Sequence, residues 1–179
     1  MKKIIITTFF CIILSILNSL TAGPEFLWTF KNTGMLPTGG VGGGSMLKES
    51  GGMLVYTAAA PHCYFTIRTS GQPLNTSIYH MLTFRFISPV AGKITLFYRT
   101  PDAALVSMDT AIETIAGDHE YRIDLETMTY GKDYKNQAAV ADDYQRFGGR
   151  RRQIDGLRVD TWFPVGTEIR FAYMKLSEQ

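Results

Sequence analysis

Apolar and polar residues alternate one by one through much of the chain. In segment 63–68, Cys63, Phe65 and Ile67 share one face, and Tyr64, Thr66 and Arg68 share the other. Segment 93–99 sets Ile94, Leu96 and Tyr98 against Lys93, Thr95, Phe97 and Arg99. The same period of two runs through Met53-Leu54-Val55-Tyr56-Thr57, Leu82-Thr83-Phe84-Arg85-Phe86, Tyr121-Arg122-Ile123-Asp124-Leu125 and Leu157-Arg158-Val159-Asp160. Successive side chains of a strand point to opposite sides, so this period predicts strands with one face buried and one in water. Such segments, with little helical periodicity between most of them, predict an all-β fold of antiparallel sheets packed as a β-sandwich.

The connections are turn-forming. Pro89-Val90-Ala91-Gly92 separates two strong strands by hairpin distance, Thr100-Pro101-Asp102 ends another, and Ala116-Gly117-Asp118-His119 precedes the next. Two stretches break the pattern. Segment 126–153 is long and polar, and Val140, Tyr144 and Phe147 within it fall at helical spacing, which predicts a short helix over 138–147. A connection of this length either carries function or covers a sheet edge. The run Gly39-Gly40-Val41-Gly42-Gly43-Gly44 lacks the spacing of a dinucleotide fingerprint and has no helix pattern after it, so it reads as a flexible loop.

At the N-terminus, Lys2 and Lys3 precede a nearly uncharged apolar run over residues 4–20, followed by the small residues Thr21, Ala22 and Gly23. This is the pattern of a signal peptide cut near Ala22. A retained anchor is the alternative, and it requires the span to take in Thr7, Thr8, Ser15 and Asn18. The expected organisation is a signal peptide over 1–22 and a single β-sandwich domain over 23–179. The domain is expected to be exported to the periplasm, the cell surface or the medium, with no membrane span after cleavage. The chain has 18 basic and 16 acidic residues; without Lys2 and Lys3 the remainder is formally neutral, and nothing points to nucleic acid. Cys63 is then the sole cysteine, which excludes an internal disulfide. Its place beside Phe65 and Ile67 reads as a small core residue rather than a nucleophile.

The last third carries a resemblance. Gln153-Ile154-Asp155-Gly156-Leu157-Arg158-Val159-Asp160, a loop closed by Gly166, and Glu168-Ile169-Arg170-Phe171-Ala172-Tyr173-Met174-Lys175-Leu176 follow one another. Together they resemble the closing strands of galactose-binding-like jelly rolls, a group that includes many bacterial carbohydrate-binding modules. Phe26-Leu27-Trp28-Thr29-Phe30 is similar to the aromatic opening strand of such domains. Gly52-Met53-Leu54-Val55 and His119-Glu120-Tyr121-Arg122-Ile123-Asp124-Leu125 are similar to two of their internal strands. The resemblance implies a jelly-roll sandwich and a polysaccharide or other glycan as ligand. There are departures: Arg150-Arg151-Arg152 stands where a tryptophan is common, Thr161 where a proline is usual, and Ala172 where an aspartate is usual. In some members a carboxylate near that last position helps to hold a structural calcium, so no calcium and no other cofactor is expected here.

Catalytic signatures are absent from the sequence. His62, His80 and His119 lie in no metal-binding spacing, and neither H-E-x-x-H nor G-x-S-x-G occurs. Glu113, Glu120, Asp124 and Asp160 are available for paired-carboxylate chemistry, but Asp124 and Asp160 are expected at strand ends, where carboxylates cap turns. No catalytic or metal-ligating residue is therefore assigned. Binding is better served: Phe97, Arg99, Arg85, Tyr64 and Arg122 fall on outward positions of predicted strands, and Trp162 stands with Phe163 between the last two. Aromatic faces stack on sugar C–H surfaces, and guanidinium groups supply planar donors. The leading reading is a non-catalytic carbohydrate-binding domain. A surface module that holds protein is the alternative, and a small polysaccharide hydrolase or lyase the third.

Overall fold

The computed structural model describes residues 23–30, 39–42, 46–69, 71–133 and 139–178; the predicted signal peptide lies outside them. In chain order the strands are β1 (Glu25–Thr29), β2 (Gly39–Gly42), β3 (Met46–Ser50), β4 (Met53–Thr57), β5 (His62–Arg68), β6 (Leu74–Asn75), β7 (Met81–Ser88) and β8 (Gly92–Arg99). They continue as β9 (Leu105–Met108), β10 (Ile112–Thr114), β11 (Gly117–Asp124), β12 (Tyr130–Asp133), β13 (Gln153–Ile154), β14 (Gly156–Trp162) and β15 (Glu168–Ser177). A six-stranded sheet runs β11-β7-β15-β4-β3, with β1 also against β15. A seven-stranded sheet runs β12-β9-β8-β14-β5-β2, with β10 also against β8. The short β6 and β13 pair with each other, and every pairing between strands is antiparallel. This is the predicted all-β sandwich.

The inward faces follow the alternation. Cys63, Phe65 and Ile67 of β5 and Ile94, Leu96 and Tyr98 of β8 are buried against Leu82, Phe84 and Phe86 of β7 and Phe171 of β15. Their rings meet edge to face, Phe65 to Phe171 at 5.4 Å and Phe86 to Phe171 at 5.1 Å, the arrangement that aromatic quadrupoles favour. Cys63 is fully buried, its thiol 3.1 Å from the Ala60 carbonyl oxygen.

Three expectations need correction. The 89–92 link does not close a hairpin: β7 and β8 belong to different sheets, so the chain turns the corner of the sandwich there. The Ser88 hydroxyl tightens that corner by donating to the Val90 carbonyl oxygen at 2.7 Å. Gly92 begins β8 without a side chain because the Phe163 ring occupies the space, only 2.3 Å from where a Cβ would stand. Second, part of the glycine run is strand: Gly39–Gly42 pairs with β5 opposite Thr66 and Tyr64. A backbone ladder needs no side chains, so hydrophobic period cannot reveal it. Third, the helix expected over 138–147 is, among the described residues, a 3₁₀ turn at Asp142–Tyr144. Its connection is a cover: Phe147 and Tyr130 enter the core beside Tyr98, whose hydroxyl donates to the Tyr144 carbonyl oxygen. Burial raises the phenol pKa of both Tyr98 and Tyr130. Among the described residues no helix is long and apolar enough to cross a membrane.

Candidate functional site

The outer face of the seven-stranded sheet is where the unusual chemistry gathers. Residues directly opposite one another in an antiparallel ladder point to the same side. With Leu157 and Val159 of β14 in the core, the outward positions of β5, β14 and β8 stand in four ranks. These are Arg68–Gly156–Arg99, Thr66–Arg158–Phe97, Tyr64–Asp160–Thr95 and His62–Trp162–Lys93. Ranks lie two residues apart along each strand, so the four extend over about 20 Å at ~3.4 Å per residue. That is the length of an oligosaccharide rather than of a single sugar.

The middle ranks hold a buried ion pair. Arg158 and Asp160 are each only 3% exposed. Arg158 Nε donates to Asp160 Oδ1 at 2.5 Å and Nη2 to Oδ2 at 2.8 Å, a bidentate fork. The guanidinium carbon lies 3.7 Å from the centre of the Tyr64 ring and 5.0 Å from that of Phe97, so aromatic rings flank the cation. Asp160 Oδ2 is also 2.7 Å from His62 Nε2, and the His62 ring stacks on Trp162 at 4.1 Å and 13°. Carboxylate, guanidinium, imidazole and indole thus form one connected unit. Trp162, at its end, keeps 45% of its surface in solvent.

The first rank has a different balance. Arg68 Nη1 donates to Asp155 Oδ2 at 3.0 Å. Arg99 Nε lies 3.2 Å from Asp155 Oδ1, yet neither of these buried atoms completes a hydrogen bond. One carboxylate therefore serves two guanidiniums. Gly156 stands between the two arginines and is itself buried; a Cβ would come within 2.6 Å of the Ile67 carbonyl oxygen and 3.0 Å of Arg68 Cδ.

Of the residues expected to bind, Tyr64, Phe97, Arg99 and Trp162 come together on this face. Phe97 faces away from the core as its strand's alternation requires, but it is 8% exposed and lies beside Arg158. It is a supporting wall, not an open stacking platform. Arg85 and Arg122 are corrections: both sit on the six-stranded sheet, on β7 and β11. Arg85 forks onto Asp118 at 2.8 and 2.6 Å in open solvent. Alternation distinguishes inward from outward, but not which of two sheets a strand joins. The aromatic pair after β14 divides, Trp162 ending the strand outward and Phe163 packing inward against Phe86 at 5.7 Å. Asp124 does cap a strand end, accepting the Glu126 N–H at 3.0 Å, whereas Asp160 lies within β14. Sequence reasoning passed over Arg158, Asp160 and His62. The available signal was the spacing of Arg158 and Asp160, opposite charges two residues apart on one strand.

A cleft of about 520 Å³ lies at the loops beyond the first rank, lined by residues that include Thr100, Asp102, Tyr144, Arg150 and Arg151. Hydrogen bonds from the Thr100 hydroxyl and then Tyr144 hold the Asp102 carboxyl below the usual carboxylate pKa, and the charge of Arg151 acts the same way.

No family model matches the chain, and no curated protein matches its sequence significantly. Solved structures do match in fold. A variant of the family 29 carbohydrate-binding module CBM29-2 superposes with a TM-score of 0.53 at 13% identity, over 87% of this chain and 92% of that one. CBM86, a low-affinity xylan-binding module from Roseburia intestinalis, gives 0.53 at 12% identity, over 87% and 96%. The agarase AgWH50C gives 0.60 at 10% identity, over 88% of this chain but 25% of the agarase. The described chain thus has the jelly-roll β-sandwich fold of carbohydrate-binding modules.

Proposed function

We propose that the chain is an exported, non-catalytic domain that binds a polysaccharide or other glycan across the outer face of its seven-stranded sheet. The observation that carries this reading is the single face on which Trp162 and Tyr64 flank the fixed Arg158–Asp160 pair. A sugar ring offers C–H surface for the exposed indole and hydroxyls for the surrounding polar groups. The Thr66 and Thr95 hydroxyls and the arginines of the first rank supply those hydrogen-bonding partners. The shared fold with modules described as binding xylan or cello-oligosaccharide adds to the case. The outer face is poorly suited to glycoside hydrolysis. That chemistry needs one carboxyl group able to give a proton and a second that activates water or attacks. Here Asp160 is engaged by Arg158 and His62, and Asp155 lies between two guanidiniums.

The test is a glycan-array screen of residues 23–179, followed by tryptophan fluorescence titration with the oligosaccharides retained. Trp28 is buried, so the ligand-sensitive signal is assigned to Trp162 and should vanish in Trp162→Ala. An array with no glycan bound, alongside capture of a surface protein, would replace this reading with the interaction-module alternative. Export is checked by the intact mass of protein recovered outside the cytoplasm: a chain starting near Gly23 is expected, and one retaining residues 1–20 refutes cleavage.

A further inference from the structure

We infer that the Arg68–Gly156–Arg99 rank receives an oxyanion carried by the glycan, a carboxylate or a sulfate ester, so that the face selects acidic polysaccharide over its neutral counterpart. This rests on the glycan-binding reading and specifies its substrate class.

Charge balance distinguishes this rank from the rest of the face. Arg158 has Asp160 as a bidentate partner, and Lys93 has Glu113 at 2.9 Å. At the first rank, Arg68 and Arg99 share Asp155 alone among the carboxylates. Both arginines remain accessible, with side chains 46% and 32% exposed. Arg68 spends one terminal nitrogen on Asp155, and Arg99 approaches it only through Nε, out of line for a hydrogen bond. The remaining guanidinium edges are the natural partners of a second anion, because a planar fork of N–H donors matches carboxylate and sulfate geometry.

The shape agrees. Gly156 lies directly between the two arginines and is buried beneath the Arg68 side chain, where a Cβ would meet Arg68 Cδ at 3.0 Å and so shift that guanidinium. A cleft of about 300 Å³ adjoins it, lined by Arg68, Asp155, Gln72 and Pro101 among others, and it gives a bulky substituent somewhere to go. The rank lies three ranks from Trp162, so a chain stacked on the indole reaches the arginines several sugars along.

The experiment compares matched ligand pairs on residues 23–179 by isothermal titration. One pair is oligogalacturonate and its methyl ester, which loses the charge and keeps the ring; the other is a sulfated galactan oligosaccharide and its desulfated form. The charged member of at least one pair should bind about tenfold or more tighter, the equivalent of a charge-assisted hydrogen bond. The pair that shows the preference tells carboxylate from sulfate. The preference should fall away in Arg68→Gln/Arg99→Gln, the charged member of the pair losing about tenfold more affinity than its neutral counterpart. On the unaltered protein, raising sodium chloride should weaken the charged ligand more than the neutral one, a readout independent of whether the variant folds. Neutral ligands binding as well as charged ones, or a preference that survives the double substitution, overturns the inference and leaves the glycan-binding reading intact. Binding of no oligosaccharide on the array or in these titrations overturns both.

Discussion

Replacing Asp160 by Asn tests the central pair. The carboxylate is buried at 3% exposure and meets Arg158 through two charge-assisted hydrogen bonds and His62 through a third contact. An amide cannot reproduce that fork, and it leaves a buried guanidinium between the Tyr64 and Phe97 rings without its carboxylate. Breaking a buried ion pair by removing one partner costs about 3–5 kcal/mol, mostly the penalty of the uncompensated charge. For a domain of this size 1 kcal/mol corresponds to roughly 2–4 °C, so the midpoint should fall by roughly 6–20 °C. Arg158→Met should cost a similar amount. The double variant should cost well below the sum of the two, because removing both charges removes the unpaired one. Urea denaturation of all four proteins gives the coupling energy directly. A single substitution costing under about 1 kcal/mol, or costs that simply add, would show that the pair is not the fixed centre of this face.

Other outcomes follow from neighbouring residues. Trp162→Ala should weaken glycan binding yet change stability by no more than about 1 kcal/mol, whereas Phe163→Ala, which empties the end of the core beside Phe86, should cost about 3–5 kcal/mol; equal losses would refute the division of the pair. Asp102, its folded pKa held below the ordinary 3.8 first by Thr100, contributes stability that is present above that pH and lost as pH falls through the folded value. An NMR titration should place its midpoint below 3.8 and show it rising in Thr100→Val; an unmoved midpoint refutes the assigned cause. Thermal midpoints in millimolar calcium and in chelator should coincide, and a rise of several degrees with calcium would show that other oxygens make up for Ala172.

What could be read from the chain followed its side chains. Alternation in segments 63–68 and 93–99 assigned Phe65 and Tyr98 to the core and Tyr64 to the outer face, because burial selects one residue in two. Features set by backbone were illegible. Gly39–Gly42 pairs through N–H and C=O groups alone; the tight turn from β3 to β4, with Gly51 and Gly52 at φ of 62° and 79°, is the exception, because a Gly-Gly pair between strands is itself a turn signal. Sheet membership was also hidden, since strands on either side of a sandwich share one period; that is why Arg85 was grouped with Phe97 although it lies on the other sheet. The Arg158–Asp160 pair was written in the spacing, but its burial depends on rings from two neighbouring strands, and no local pattern reports those.

β14 and β15 hold the middle of the two sheets, β14 between β5 and β8, β15 between β7 and the pair β1 and β4. A chain still growing on the ribosome therefore lacks the central strand of both layers until its final strands emerge. Its earlier strands pair locally before then, β2 with β5, β3 with β4, β7 with β11 and β8 with β9, but β5 and β8 never pair with each other, nor β4 with β7. Loop-closure entropy must be met over long stretches of sequence before those pairings reward it, so joining the local pairs into two complete sheets is the step that topology slows.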